Sequence, residues 1–126
     1  MSKEIIFTDK APAPIGPYSQ AVLSSDTLYV SGQIGIDPKT SNLVEGFEAQ
    51  TKQIMKNIDG LLESCSITRE HIIKTSIFVT DLANFGKVNE AYIEYFTEPY
   101  PARSCVQVPA LPKGALVEIE VIAAKA

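Results

Sequence analysis

The sequence predicts an α+β fold, a sheet of about five or six strands with two helices packed on one face. Two observations predict it. Short segments in which apolar and polar residues alternate, the signature of half-buried strands, recur along the chain. Only two stretches, starting near Gly46 and Phe85, instead repeat apolar residues every three or four positions, as amphipathic helices do. A strand separates these helices, and two helices can cover one face of such a sheet but not both. At 126 residues the chain suits a single domain, 1–126, with a real core.

Taken in order, Ile5-Ile6-Phe7 reads as a short edge strand. The prolines of Ala11-Pro12-Ala13-Pro14-Ile15-Gly16-Pro17-Tyr18 lock φ and push their predecessors towards extended geometry, giving a rigid loop that presents Tyr18. Ala21-Val22-Leu23 and Thr27–Gln33 read as a hairpin around Ser24-Ser25-Asp26. Its second strand sets Leu28 and Val30 on one face and Thr27, Tyr29, Ser31 and Gln33 on the other. Gly32 within it marks a bulge or a close backbone approach. Asp37–Asn42 is a turn or loop.

From Gly46 the apolar positions Phe47, Thr51, Ile54, Met55, Ile58, Leu61, Leu62 and Cys65 form one face of a helix of about five turns. Cys65 extends that stripe and is expected to be a buried structural thiol. Thr68–His71 is a polar connector, and His71 has no carboxylate or thiol beside it that would suggest catalysis. Ile72–Val79 is a strand with Ile73, Thr75, Ile77 and Val79 on one face. Thr80-Asp81 offers a cap to the second helix, where Phe85, Val88, Tyr92 and Tyr95/Phe96 make the apolar stripe and Asn89 lies beside it. Pro99 and Pro101 end that helix.

The last two strands carry the chemistry. Pro101–Val108 alternates Arg103, Cys105 and Gln107 with Ser104, Val106 and Val108. Val117–Ile122 alternates Val117, Ile119 and Val121 with Glu118 and Glu120. The turn-rich Pro109–Gly114 between them makes the pair a candidate antiparallel ribbon, with Arg103, Cys105, Glu118 and Glu120 on one side. The face away from the helices would then also hold Tyr29, Ser31, Gln33, Lys74, Ser76 and Phe78. That mixture is too rich for an idle surface, and burial against copies of the chain in a closed homo-oligomer is the expected solution.

Charge and composition exclude several classes. With a formal net charge of −4 and no Lys/Arg cluster, a nucleic-acid backbone is not the expected partner. One histidine and two cysteines, Cys65 and Cys105, without ligand spacing give no expectation of a metal. No apolar run nears the ~20 residues of a membrane span, and Met1–Phe7 lacks a signal-peptide pattern. A reducing, cytoplasmic setting is expected.

Arg103 offers a rigid fork of donors that matches a carboxylate; the competing reading is a cross-strand ion pair with Glu118 or Glu120. Cys105 is a nucleophile only if Arg103 lowers its pKa, and no histidine stands near it to act as base. Glu118 or Glu120 can orient and deprotonate a water. Patterning alone ends at a carboxylate-binding arginine with a nearby acid.

The chain resembles the Rid (YjgF) family, RidA branch, over nearly its whole length. The resemblance is carried by Ile15-Gly16-Pro17-Tyr18-Ser19-Gln20-Ala21, Val30-Ser31-Gly32-Gln33-Ile34, Phe78-Val79-Thr80-Asp81-Leu82 with Val88-Asn89, Pro101-Ala102-Arg103-Ser104-Cys105-Val106, Leu111-Pro112-Lys113-Gly114 and Val117-Glu118-Ile119-Glu120. It implies a mixed, mainly antiparallel sheet backed by two helices, of the chorismate mutase-like or ferredoxin-like kind. It also implies a homotrimer with a central barrel and ligand sites between subunits. The implied activity is cofactor-free hydrolysis of reactive enamine/imine intermediates (2-aminoacrylate/2-iminopropanoate and 2-iminobutanoate) to 2-oxoacids and ammonia. On that resemblance Arg103 binds the substrate carboxylate, and Glu118 positions water with help from the main chain at Cys105. Tyr18 covers the substrate, Ser31, Gly32 and Asn89 line the cleft, and Glu120 is structural. A trimeric 2-oxoacid-binding or regulatory module without turnover is the alternative, and a pericyclic enzyme is a second, from fold analogy alone.

Overall fold

The computed structural model describes residues 3–125. In chain order it forms β1 (Lys3–Ile6), β2 (Ala21–Ser24), β3 (Thr27–Gln33), β4 (Ile36–Asp37), β5 (Asn42–Leu43), α1 (Phe47–Glu63), β6 (Ile72–Val79), α2 (Phe85–Tyr95), β7 (Ala102–Gln107) and β8 (Val117–Ala124). Six strands make one sheet in the order β1-β2-β3-β8-β6-β7, and the small β4–β5 hairpin stands apart. Within the large sheet only β6 and β7 run parallel. The fold is thus α+β with a mainly antiparallel sheet and two helices on one face, as the periodicities predict.

The core lies between sheet and helices. From the sheet come Leu28, Val30, Ile77, Val79, Val117, Ile119 and Val121, and from the helices Ile54, Ile58, Leu61, Leu62, Val88 and Tyr92. Cys65 is buried among them, as its place on the stripe predicts. Gly46 stands at the N-cap of α1, with a φ of 93° that is costly for a residue with a Cβ. Asp81 caps the turn that leads into α2, its carboxylate accepting from the Ala83 N–H at 2.9 Å.

Three expectations are corrected. β7 and β8 are not partners: β7 pairs in parallel with β6, and β8 lies between β3 and β6. A parallel pair needs a crossover, which α2 supplies. The proline-rich segment after β7 then passes over the end of β6, held there by Val108 N–H to Val79 C=O (2.8 Å) and Thr80 N–H to Leu116 C=O (3.2 Å). The register also shifts between Ile72 and Lys74, so Ile72 is buried and Ile73 is 52% exposed. A second shift between Val30 and Gln33 sets Gln33 opposite Ile119 and buries it, instead of leaving it with Tyr29 and Ser31. Gly32 lies inside that bulge.

Candidate functional site

The corrected topology divides the predicted site. Thr75 and Ile77 are the register partners of Arg103 and Cys105, and both are buried under the helices. Ser76 and Phe78 are the partners of Glu120 and Glu118, while Val117, Ile119 and Val121 fill the core. Arg103 and Cys105 therefore point to the helix side, and Glu118 and Glu120 to the opposite side. A cross-strand ion pair of Arg103 with either acid is excluded.

On the open face, a cavity of about 380 Å³ is lined by Tyr18, Ser31, Gly32, Glu118 and Glu120, with Ile15 and Pro112 among its apolar walls. The loop that carries Tyr18 is pinned by the buried Gln20. Its Oε1 accepts from Thr8 N–H (2.8 Å), and its Nε2 donates to the carbonyls of Thr8 (3.0 Å), Ala11 (3.2 Å) and Pro12 (2.9 Å). Ser31 secures the loop's end, its hydroxyl donating to Ser19 C=O at 2.6 Å and its N–H to Gln20 C=O at 3.0 Å. Tyr18 itself is 49% exposed at the cavity mouth.

Gly32 makes room for the acid: a Cβ there would lie 2.8 Å from the carboxyl carbon of Glu118. Half-buried Glu118 is pushed above the usual carboxylate range by burial first and by the neighbouring Glu120 second. A raised carboxyl that still reaches solvent is suited to taking up and returning a proton.

On the helix side, Arg103 Nη1 donates to Asn89 Oδ1 at 2.8 Å. Among the described residues Arg103 forms no ion pair, so its remaining N–H groups stay available. The guanidinium stands 5.0 Å from the ring centroid of Tyr92 and 5.3 Å from that of Phe85. Cys105 follows on the same side. Burial raises its thiol pKa and outweighs the lowering by Arg103, so the side chain is not an activated nucleophile. Sequence reading missed Phe85, Tyr92 and Thr75 as neighbours of the arginine. The available signal was the i, i+4, i+7 spacing of Phe85, Asn89 and Tyr92, which places all three on one helix face.

Other polar groups stay outside these two constellations. His71 serves the turn after α1, its Nδ1 accepting from Thr68 N–H at 3.1 Å. A cavity of about 350 Å³ between α1 and α2 includes Asp59, Arg69 and Tyr95. There Arg69 forks Asp59 (3.1 and 2.8 Å) and lies over the Tyr95 ring, whose hydroxyl donates to Asp59 at 2.5 Å. That cluster is internally satisfied. Gln107, expected on the polar face, ties β7 to the turn before α2 by accepting from Leu82 N–H at 2.9 Å.

Comparison with known proteins agrees with this architecture. The model of a family described as endoribonuclease L-PSP matches residues 8–125. A human protein named 2-iminobutanoate/2-iminopropanoate deaminase is 46% identical over 122 residues, covering 96% of this chain and 89% of that one. A RutC family protein of Pyrococcus horikoshii is 48% identical over 124 residues, 98% of each. The crystal structure of RidA from an Antarctic Psychrobacter superposes with a TM-score of 0.94 at 48% identity, over 96% of this chain and 98% of that one. Matches of that extent and identity, with so close a superposition, place the chain in the Rid (YjgF) family, whose model bears the endoribonuclease L-PSP description.

Proposed function

We propose that the chain is a RidA-type hydrolase that converts reactive 2-imino acids and their enamine tautomers to 2-oxoacids and ammonia without a cofactor. We further propose that it works as a homotrimer around a central barrel. Each cleft would join Arg103, Asn89 and Cys105 of one protomer to Tyr18, Ser31, Gly32 and Glu118 of the next. The observation that carries this reading is the half-buried Arg103 guanidinium, which has no acid partner among the described residues and is free to take a carboxylate. The deaminase name of the human relative supports the choice of substrate class.

An imine carbon is already electrophilic, so the protein has to place water and manage protons, not supply a strong nucleophile. Arg103 and Asn89 hold the substrate, and Tyr18 closes over it. Water adds across C=N: the C–O bond forms as Glu118 takes one proton of the water and returns it to the nitrogen, which gives the neutral carbinolamine. As the carbinolamine collapses to the C=O group, the hydroxyl proton passes through Glu118 to the amino group and the C–N bond breaks. Nitrogen leaves as ammonia, and Glu118 is again a carboxylate. The main chain at Cys105 helps to position the water. A net charge of −4 with no basic run gives an RNA backbone little to hold, which favours this reading over nuclease activity.

The test couples the purified protein to a threonine dehydratase and follows loss of imine trapped by semicarbazide. Wild type accelerates the loss, while Arg103→Ala reduces kcat/KM by about a hundredfold or more, the cost of two charge-assisted hydrogen bonds. A folded wild type that gives no acceleration points instead to the 2-oxoacid-binding module.

A further inference from the structure

Arg103 is fixed in place by neutral groups. One helix face supplies them all: Asn89 accepts its Nη1 proton, and the rings of Phe85 and Tyr92 lie 5.3 and 5.0 Å from Cζ. Both distances fall within the range over which a ring face attracts a cation. Tyr92 is itself fixed. Its hydroxyl and Thr75 Oγ1 stand 2.6 Å apart in the core, and Thr75 is the register partner of Arg103. A closed circuit results: β7 carries the arginine, α2 carries the ring beneath it, and β6 holds both.

A carboxylate could orient Arg103 equally well, but it would occupy the N–H fork and cancel the charge. Aromatic faces attract the cation and leave the fork open. We propose that Phe85 and Tyr92 are positioning residues, an uncharged clamp that aims the Arg103 guanidinium and keeps its charge for the substrate. The proposal rests on reading Arg103 as the carboxylate binder.

The clamp is tested by calorimetric titration with 2-oxobutanoate, alongside turnover of the dehydratase-generated imine. Phe85 is 40% exposed, so its replacement puts little of the core at risk. Phe85→Leu is expected to raise both the Kd for 2-oxobutanoate and KM by about three- to fivefold with kcat nearly unchanged, and Phe85→Tyr, which keeps a ring, to restore both. At the second ring, Tyr92→Phe combined with Thr75→Val keeps the aromatic face and removes both hydroxyls, and affinity is retained. Tyr92→Leu loses about five- to tenfold. Wild-type affinity in Phe85→Leu, equal losses in Phe85→Leu and Phe85→Tyr, or a fall in kcat at unchanged Kd each overturns the clamp. If Tyr92→Leu does not fold, the two Phe85 variants decide. Wild type that binds 2-oxobutanoate without turnover removes the deaminase reading and leaves the clamp to the binding arm. Wild type that binds no 2-oxoacid removes both.

Discussion

The acid and the arginine solve opposite problems, and both can be tested one residue at a time. Burial and Glu120 hold the Glu118 carboxyl above its unfolded range. With Glu118 as the proposed base, kcat/KM should therefore fall as pH drops through a value above that of a free glutamate. Glu120→Gln should move that acidic limb to lower pH, which a pH–rate profile reads directly. Linkage gives a second outcome. For an acid whose folded pKa is raised, the native state binds the extra proton, so stability falls as pH rises from the unfolded towards the folded pKa and stays lower above it. Glu118→Gln should accordingly raise the melting midpoint at pH 7 to 8, lose that advantage below about pH 4, and abolish turnover. Equal midpoints for the two proteins at pH 8 would show that burial costs this carboxylate nothing.

At the scale of elements, the short contacts around β3 make firm predictions. Gly32→Ala drives a Cβ to 2.8 Å from the Glu118 carboxyl, so kcat should fall while circular dichroism stays native. Gln20→Ala strips the Thr8 N–H of its partner in a partly buried site, at a cost of about 1–2 kcal/mol in urea unfolding, and should raise KM by loosening the Tyr18 loop. Both helices, the first hairpin and the outward Glu118 and Glu120 were legible in the sequence. Their apolar partners repeat with a clear period: Ile54, Ile58 and Leu61 in α1, Val117, Ile119 and Val121 in β8. The facing of β7 was not legible, because neither of its sides is plainly apolar. Alternation puts Val106 opposite Arg103, yet Val106 is 46% exposed and Arg103 turns inward. The inward side wins because α2 brings an amide oxygen and two rings to meet the guanidinium. Such a preference arises between elements and leaves no local trace. Strand order was hidden for the same reason, since local pattern cannot say which distant strands become neighbours.

The whole molecule sets the two constellations on opposite faces of one sheet, where no single ligand can touch both. On the proposed assembly, each cleft takes its arginine and its acid from different protomers. Arg103→Ala and Glu118→Gln proteins, each inactive alone, should then regain activity when co-expressed and purified together. Random mixing would restore roughly a quarter of the clefts. No recovery, in a sample shown by native mass spectrometry to contain mixed trimers, would place the full site within one chain. On that assembly a protomer parted from its neighbours would keep both halves of the chemistry and could use neither. The proposed catalysis would then be subject to mass action: activity per milligram should hold constant in concentrated solution and decline on dilution, as the subunits separate, with every residue still intact.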